Sequence, residues 1–139
     1  PAEARDETEA GAQAFLNYRA DAQWYSIQTG DTSLIREVTS TDCEKCTEQY
    51  DAYEAMYAKG NWAAGGFEVP TIVPGSFSQR PDGGYNLPVD VKSSGSVAFV
   101  DQAIPRRQLP FAEKDAFDCY IYRDGDRWMY LTGSPRGSL

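Results

Sequence analysis

The side-chain period of this chain changes at Gly60, and that change fixes how its layers must be arranged. Ahead of Gly60, Ala12, Phe15, Tyr18, Ala22 and Tyr25 recur at three-and-four spacing with no intervening proline, which is the stripe of a long amphipathic helix. Gly30 closes that helix. Asp31 or Thr32 is placed to cap a short second helix carrying Leu34, Ile35 and Val38. Asp42 precedes Cys43, after which Cys46, Tyr50, Tyr53 and Tyr57 again step by three and four until Lys59-Gly60 supplies a cation and a terminating glycine.

Beyond Gly60 the pattern alternates. Phe67, Val69, Thr71 and Val73 share one face, and Tyr85, Leu87, Val89 and Val91 share another against Asn86, Pro88, Asp90 and Lys92, as half-buried strands require. Pro81-Asp82-Gly83-Gly84 and Ser93-Ser94-Gly95-Ser96 read as turns, and Asp124-Gly125 is a two-residue hairpin signal between Phe117–Arg123 and Arg127–Thr132. A short strand is expected near Val97–Asp101. Ile104–Ala116 carries two prolines and opposed charges, and is expected as a long surface loop. The predicted fold is therefore α+β: N-terminal helices packed on a curved antiparallel sheet of about five strands, a cone whose open end leaves room for a ligand. Residues 1–8 read as a polar tether, 9–134 as a single domain and 135–139 as a C-terminal tail.

At 139 residues and 41% hydrophobic content, one domain of this length buries a core without help from metal. The formal net charge of -8 has the wrong sign for a phosphate backbone, so nucleic acid is not an expected partner. The acidity belongs to the helical part: residues 1–59 hold 12 acids and 5 bases, residues 60–139 hold 9 and 8. A solvated helical surface accounts for it. No run reaches the ~18 to 20 apolar residues of a membrane span. Because the chain starts at Pro1 with a Pro/Ala/Glu-rich stretch, an export or anchor segment is expected upstream, and the membrane is expected to be met only through it.

The chain contains no histidine. This removes Ser-His-Asp and Cys-His nucleophile systems and the HExxH zinc site. Three cysteines without histidine would need a carboxylate to hold zinc, so no metal and no cofactor is expected. Cys43-x-x-Cys46 at a helix start is compatible with thioredoxin-type redox work, since the helix end lowers a thiol's pKa. Glu44 opposes that effect, and the motif does not follow a strand. A structural disulfide is the preferred reading, with pairing of Cys119 to Cys43 or Cys46 left open. Cys119 alternates with Phe117 and Ile121 and reads as a small buried side chain.

The segments Gly11-Ala-Gln-Ala-Phe-Leu-Asn-Tyr18, Thr29-Gly-Asp-Thr32, Cys43-x-x-Cys46 and Tyr57-Ala-Lys-Gly-Asn-Trp-Ala-Ala-Gly-Gly66 resemble a family of actinobacterial lipoproteins of unknown function. That family is similar to the nuclear-transport-factor-2-like, or SnoaL-like, cone. The resemblance covers nearly the whole chain and implies secretion, a lipid anchor upstream of Pro1 and a Cys43–Cys46 disulfide, but no reaction. Cys119 stands outside the shared pattern, and no helix interrupts the strands.

What remains is a wealth of aromatic residues, nine Tyr, six Phe and three Trp. Core packing explains most of such a stripe, yet tyrosine hydroxyls need partners, and several facing each other can line a half-wet pocket. Tyr18, Tyr25, Tyr53, Tyr57, Trp62 and Phe99 form the candidate ligand pocket, and no residue is assigned a catalytic role. The expected function is an extracytoplasmic, non-catalytic binding module of the cell envelope, whose partner is a small apolar ligand or an envelope protein. Two alternatives are a thiol-disulfide protein working through Cys43 and Cys46, and an isomerase or lyase pairing Tyr18 or Tyr25 with Asp90, Asp101 or Asp118.

Overall fold

The computed structural model describes residues 2–93, 96–100, 104–108 and 112–137, with side chains over 2–93 and 116–137. It is an α+β fold. A 3-10 turn (Ala2–Arg5) leads into α1 (Glu9–Thr29), α2 (Ser33–Glu37) and α3 (Glu44–Ala58), and seven strands follow: β1 (Trp62–Gly65), β2 (Glu68–Ile72), β3 (Tyr85–Ser93), β4 (Ser96–Val100), β5 (Ile104–Gln108), β6 (Ala112–Asp124) and β7 (Arg127–Pro135). The strands form two antiparallel sheets, ordered β1-β4-β5 and β2-β3-β6-β7.

Local chemistry sets the helix ends. Thr8 Oγ1 accepts the Gly11 amide at 3.0 Å to open α1, and Gly30, at φ 76°, closes it by donating to the Ser26 carbonyl at 2.8 Å. The buried face of α1 carries Ala12, Phe15, Leu16, Ala20 and Ile27, with Gln23 and Ser26 among them. The expected stripe was displaced by one edge of this arc. Ala12, Phe15 and Ala22 are buried, but Tyr18 is only half-buried and Tyr25 is 41% exposed. Two polar residues on the inner face hid the true centre of the helix.

Arg36 ties α2 to α3 through Asp51 at 2.7 Å and Glu54 at 3.3 Å. The link between those helices then lies along β7: Ser40 donates to the Tyr130 carbonyl at 2.7 Å, and the Tyr130 amide donates to the Val38 carbonyl at 2.8 Å. This covers the free edge of the four-stranded sheet. The β6–β7 hairpin turns at Gly125-Asp126, with Asp124 opposite Arg127, one residue later than the Asp124-Gly125 pair expected to form the turn.

Two expectations are corrected. Ile104–Ala116 is not a loop throughout, because Ile104–Gln108 forms β5 and β6 begins at Ala112. Pro105 is tolerated because β5 is the edge of its sheet, where a missing amide is least costly. The leader is not a free tether either. Trp128 Nε1 donates to the Asp6 carbonyl at 3.1 Å, Arg123 Nη1 to the Arg5 carbonyl at 2.7 Å, and the Tyr85 hydroxyl bonds Glu7 at 2.9 Å.

Leu87, Val89 and Ile121 from the four-stranded sheet, Trp128 from β7, and Tyr50 and Ile35 from the helices fill the centre of the core. Phe77 stacks on Tyr85 at 4.5 Å, and Trp128 meets Tyr85 edge-on at 5.2 Å.

A candidate ligand cavity beside Arg19

Alternation along the strands gives the four-stranded sheet one face towards α1, and the core does not fill the space between them. A cavity of about 630 Å3 remains. The sheet contributes Glu68 and Pro70 of β2, Val89 and Val91 of β3, Phe117 and Cys119 of β6, and Tyr130, Thr132 and Gly133 of β7. α1 contributes Leu16, Arg19, Ala20 and Gln23, and the start of α3 contributes Cys43, Lys45, Cys46, Glu48 and Gln49. Lys45, Glu48 and Gln49 are exposed, while Leu16, Ala20, Val89, Cys119 and Tyr130 are buried. The walls are therefore mainly apolar, and charge gathers at the mouth.

Arg19 is the cation within, with half-buried Glu68 as the other charge. Its guanidinium lies over the Tyr130 ring at 3.6 Å to the centroid. Nη1 donates to Gln23 Oε1 at 3.3 Å and Nη2 to the Tyr50 hydroxyl at 3.4 Å. Nε is buried with no hydrogen-bond partner. The Tyr50 hydroxyl lies 3.0 Å from Thr39 Oγ1, which in turn donates to the Ile35 carbonyl at 2.6 Å. Since Thr39 spends its proton on Ile35, Tyr50 donates to Thr39 and accepts from Arg19. A chain of hydrogen bonds thus holds the arginine from behind.

The electrostatics follow from burial. Burial works against the Arg19 charge, but Tyr130, Tyr50 and Cys119 beside it outweigh that and hold its pKa above the ordinary arginine value. Burial pushes the Cys119 thiol up to about 11 and the Tyr130 hydroxyl up to about 12. Both are neutral at pH 7.

Cys43 and Cys46 are joined as a disulfide with Cα atoms 5.2 Å apart, and Cys119 is a free buried thiol. This settles the pairing that the spacing left open. Cys43 Sγ also accepts the Cys46 amide at 3.2 Å, so the sulfur caps α3 where a serine or aspartate would be usual.

Of the six aromatic residues expected to line a pocket, Tyr18, Tyr25, Tyr53, Tyr57 and Trp62 are not in the wall of this cavity. Tyr25 is exposed, with its hydroxyl 3.5 Å from Asp31. The Tyr57 hydroxyl donates to the Ile27 carbonyl at 2.5 Å and props the end of α1. Tyr53 is half-buried at 6.5 Å from the Tyr50 ring, and burial raises its pKa. Tyr18 is half-buried on α1, Trp62 stands opposite Phe99 in the β1–β4 pair, and the Phe99 side chain lies outside the described residues. Asp90 pairs with Arg136 at 3.0 Å and Asp118 accepts the Gly137 amide at 2.9 Å, so both serve the C-terminal turn; Asp101 lies outside the described residues. Sequence reasoning passed over Arg19. Its signal was a cation three residues after Leu16 and four before Gln23, in phase with the buried face.

Among the described residues no group of three or more acids or cysteines is arranged to hold a metal ion, and no helix is long and apolar enough to cross a membrane.

The chain belongs to a family of unknown function, DUF6318, which it matches over residues 1–134. No curated protein matches the sequence. Among solved structures it is similar to the intermembrane space region of the chloroplast protein ARC6, at 12% identity and a TM-score of 0.63, covering 92% of this chain and 95% of that one. At that identity the likeness is one of fold.

Proposed function

We propose that the protein is a non-catalytic binding module that receives a small apolar ligand in the cavity between α1, the start of α3 and the four-stranded sheet. The observation that carries this is the cavity itself. Its 630 Å3 falls within the ~300–1,000 Å3 of small-molecule sites, and such sites favour apolar walls with a few fixed polar groups. The two reactive motifs argue for binding over catalysis. The paired sulfurs are buried and joined, and Cys119 is held as a neutral thiol.

The helical layer over a curved sheet supports a nuclear-transport-factor-2-like cone as the architecture. The disulfide supports a place outside the cytoplasm, in the cell envelope, because reducing compartments do not retain such bonds. Membrane attachment through a lipid anchor upstream of Pro1 is part of the same reading.

The test is fluorescence of N-phenyl-1-naphthylamine, a neutral apolar reporter. Enhancement is expected with the native protein and its reduction in Val91→Trp, which puts a large ring into the cavity, provided that variant unfolds at a similar temperature. No enhancement with the native protein, or undiminished enhancement in a folded Val91→Trp, overturns the proposal.

A further inference from the structure

We infer that the cavity selects ligands with an apolar body and one terminal carboxylate, which Arg19 anchors; this rests on the reading of the cavity as a ligand site.

Arg19 is half-buried with its Nε out of water; a donor so placed needs a partner, and an anion satisfies it best. The described partners of Arg19 are an amide oxygen, a phenol and a ring face, all neutral. Nε remains without one. Nothing in this set balances the positive charge, whereas a carboxylate would balance it and take up Nε at once. The cation is also positioned for the task. Tyr130 covers one face of it and the Tyr50–Thr39 chain fixes its far side, so little side-chain freedom is lost on binding.

The neighbourhood favours a single negative charge. Tyr130 and Cys119, the titratable groups nearest Arg19 on the sheet, stay protonated at neutral pH. Lys45 adds a cation at the mouth. Glu48 is exposed there, and Glu68, half-buried on β2, faces the cavity and opposes an anion. Glu68 thereby limits affinity, and neutralising it should strengthen carboxylate binding. Leu16, Ala20, Val89, Val91 and Phe117 line the remaining space and suit an alkyl or aryl body.

Displacement of N-phenyl-1-naphthylamine from the native protein at pH 8 by decanoate, decanol and decylamine, equal in chain length, decides the matter. Decanoate should displace at a concentration at least tenfold below decanol, with decylamine weakest. Arg19→Met should bring decanoate to the level of decanol, and Glu68→Gln should widen the preference for decanoate. Equal displacement by decanoate and decanol refutes the carboxylate preference and leaves the cavity reading standing. Failure of the reporter to bind refutes the cavity reading itself. If Arg19→Met does not fold, the ligand series on the native protein and Glu68→Gln still decide. A folded Arg19→Met that keeps the preference shows that another group is the anchor.

Discussion

Gly30 and Gly60 offer an internally controlled test of why Tyr57 belongs to the scaffold. Both end helices in the left-handed region, at φ 76° and 77°. An alanine at either position bears about 1–2 kcal/mol of backbone strain. Only Gly30 has a neighbour: an added Cβ would lie 2.6–2.8 Å from the Tyr57 side chain, whereas at Gly60 nothing stands within 4 Å. Such overlap forces the ring aside at a cost of about 1–3 kcal/mol. It also endangers the 2.5 Å bond from the Tyr57 hydroxyl to the Ile27 carbonyl, another ~1 kcal/mol. Gly30→Ala should therefore lower unfolding stability by roughly 2 kcal/mol or more beyond Gly60→Ala, measured by urea denaturation with unchanged slope. Equal costs for the two variants would show that Tyr57 yields freely. The ring would then not be the prop described above, and its candidacy as a mobile pocket residue would revive.

Raising the pH tests the burial of the cavity's neutral acids. Cys119 and Tyr130 have folded pKa values raised to about 11 and about 12 from 9.0 and 10.0, so the unfolded chain loses those protons first and stability should fall as pH rises from about 9. Cys119→Ala should remove the first part of that decline, between about 9 and 11, worth at most ~3 kcal/mol; an identical pH profile for the variant refutes the assignment. In the native protein, iodoacetamide at pH 8 should leave Cys119 unmodified until denaturant is added, as read by mass spectrometry. Reduction of Cys43–Cys46 opens only a short loop and should cost about 2 kcal/mol or less of global stability, while weakening reporter binding more than twofold because both residues line the cavity. Arg136→Ala, which breaks a partly exposed pair with Asp90, should cost less than ~1 kcal/mol by the same denaturation assay.

The layering was legible because it depends on local rules: period, caps and the Asp-Gly turn all act over a few residues. Gly30 and Gly60 end their helices where sequence chemistry places them. The split into two sheets was not legible, since pairing β1 with β4 depends on contacts some 30 residues apart, beyond any local signal. β5 was missed because proline is informative only when a strand's place in the sheet is known. Room for a ligand was expected, but the residues of its wall were missed for a related reason. Aromatic abundance marked Tyr18, Tyr25, Tyr53 and Tyr57 as pocket candidates, but aromatics are large enough to fill the spaces they face. Tyr50, the fully buried member of the α3 series, acts through its hydroxyl behind Arg19 and not as a wall.

The inner face of α1 explains why a cavity persists where a core would otherwise close. Phe15, Leu16 and Ile27 pack as a core helix should, yet Arg19, Gln23 and Ser26 interrupt them. Ser26 satisfies itself by donating to the Ala22 carbonyl at 2.9 Å, and Gln23 accepts from Arg19 at 3.3 Å. Arg19 has no such local solution for all its donors. Closing the sheet onto it would strand a charge in hydrocarbon, at a cost of several kcal/mol; leaving space beside it avoids that cost but forfeits the packing of the surrounding apolar atoms. A chain under selection for stability alone would resolve the conflict with leucine at position 19, filling the space and removing the charge together. Retaining arginine, with Tyr130 stacked on it and Tyr50 and Thr39 aligned behind it, sacrifices packing in order to hold a cation at the wall of an apolar chamber. Such an expense is understandable if something negatively charged is meant to enter.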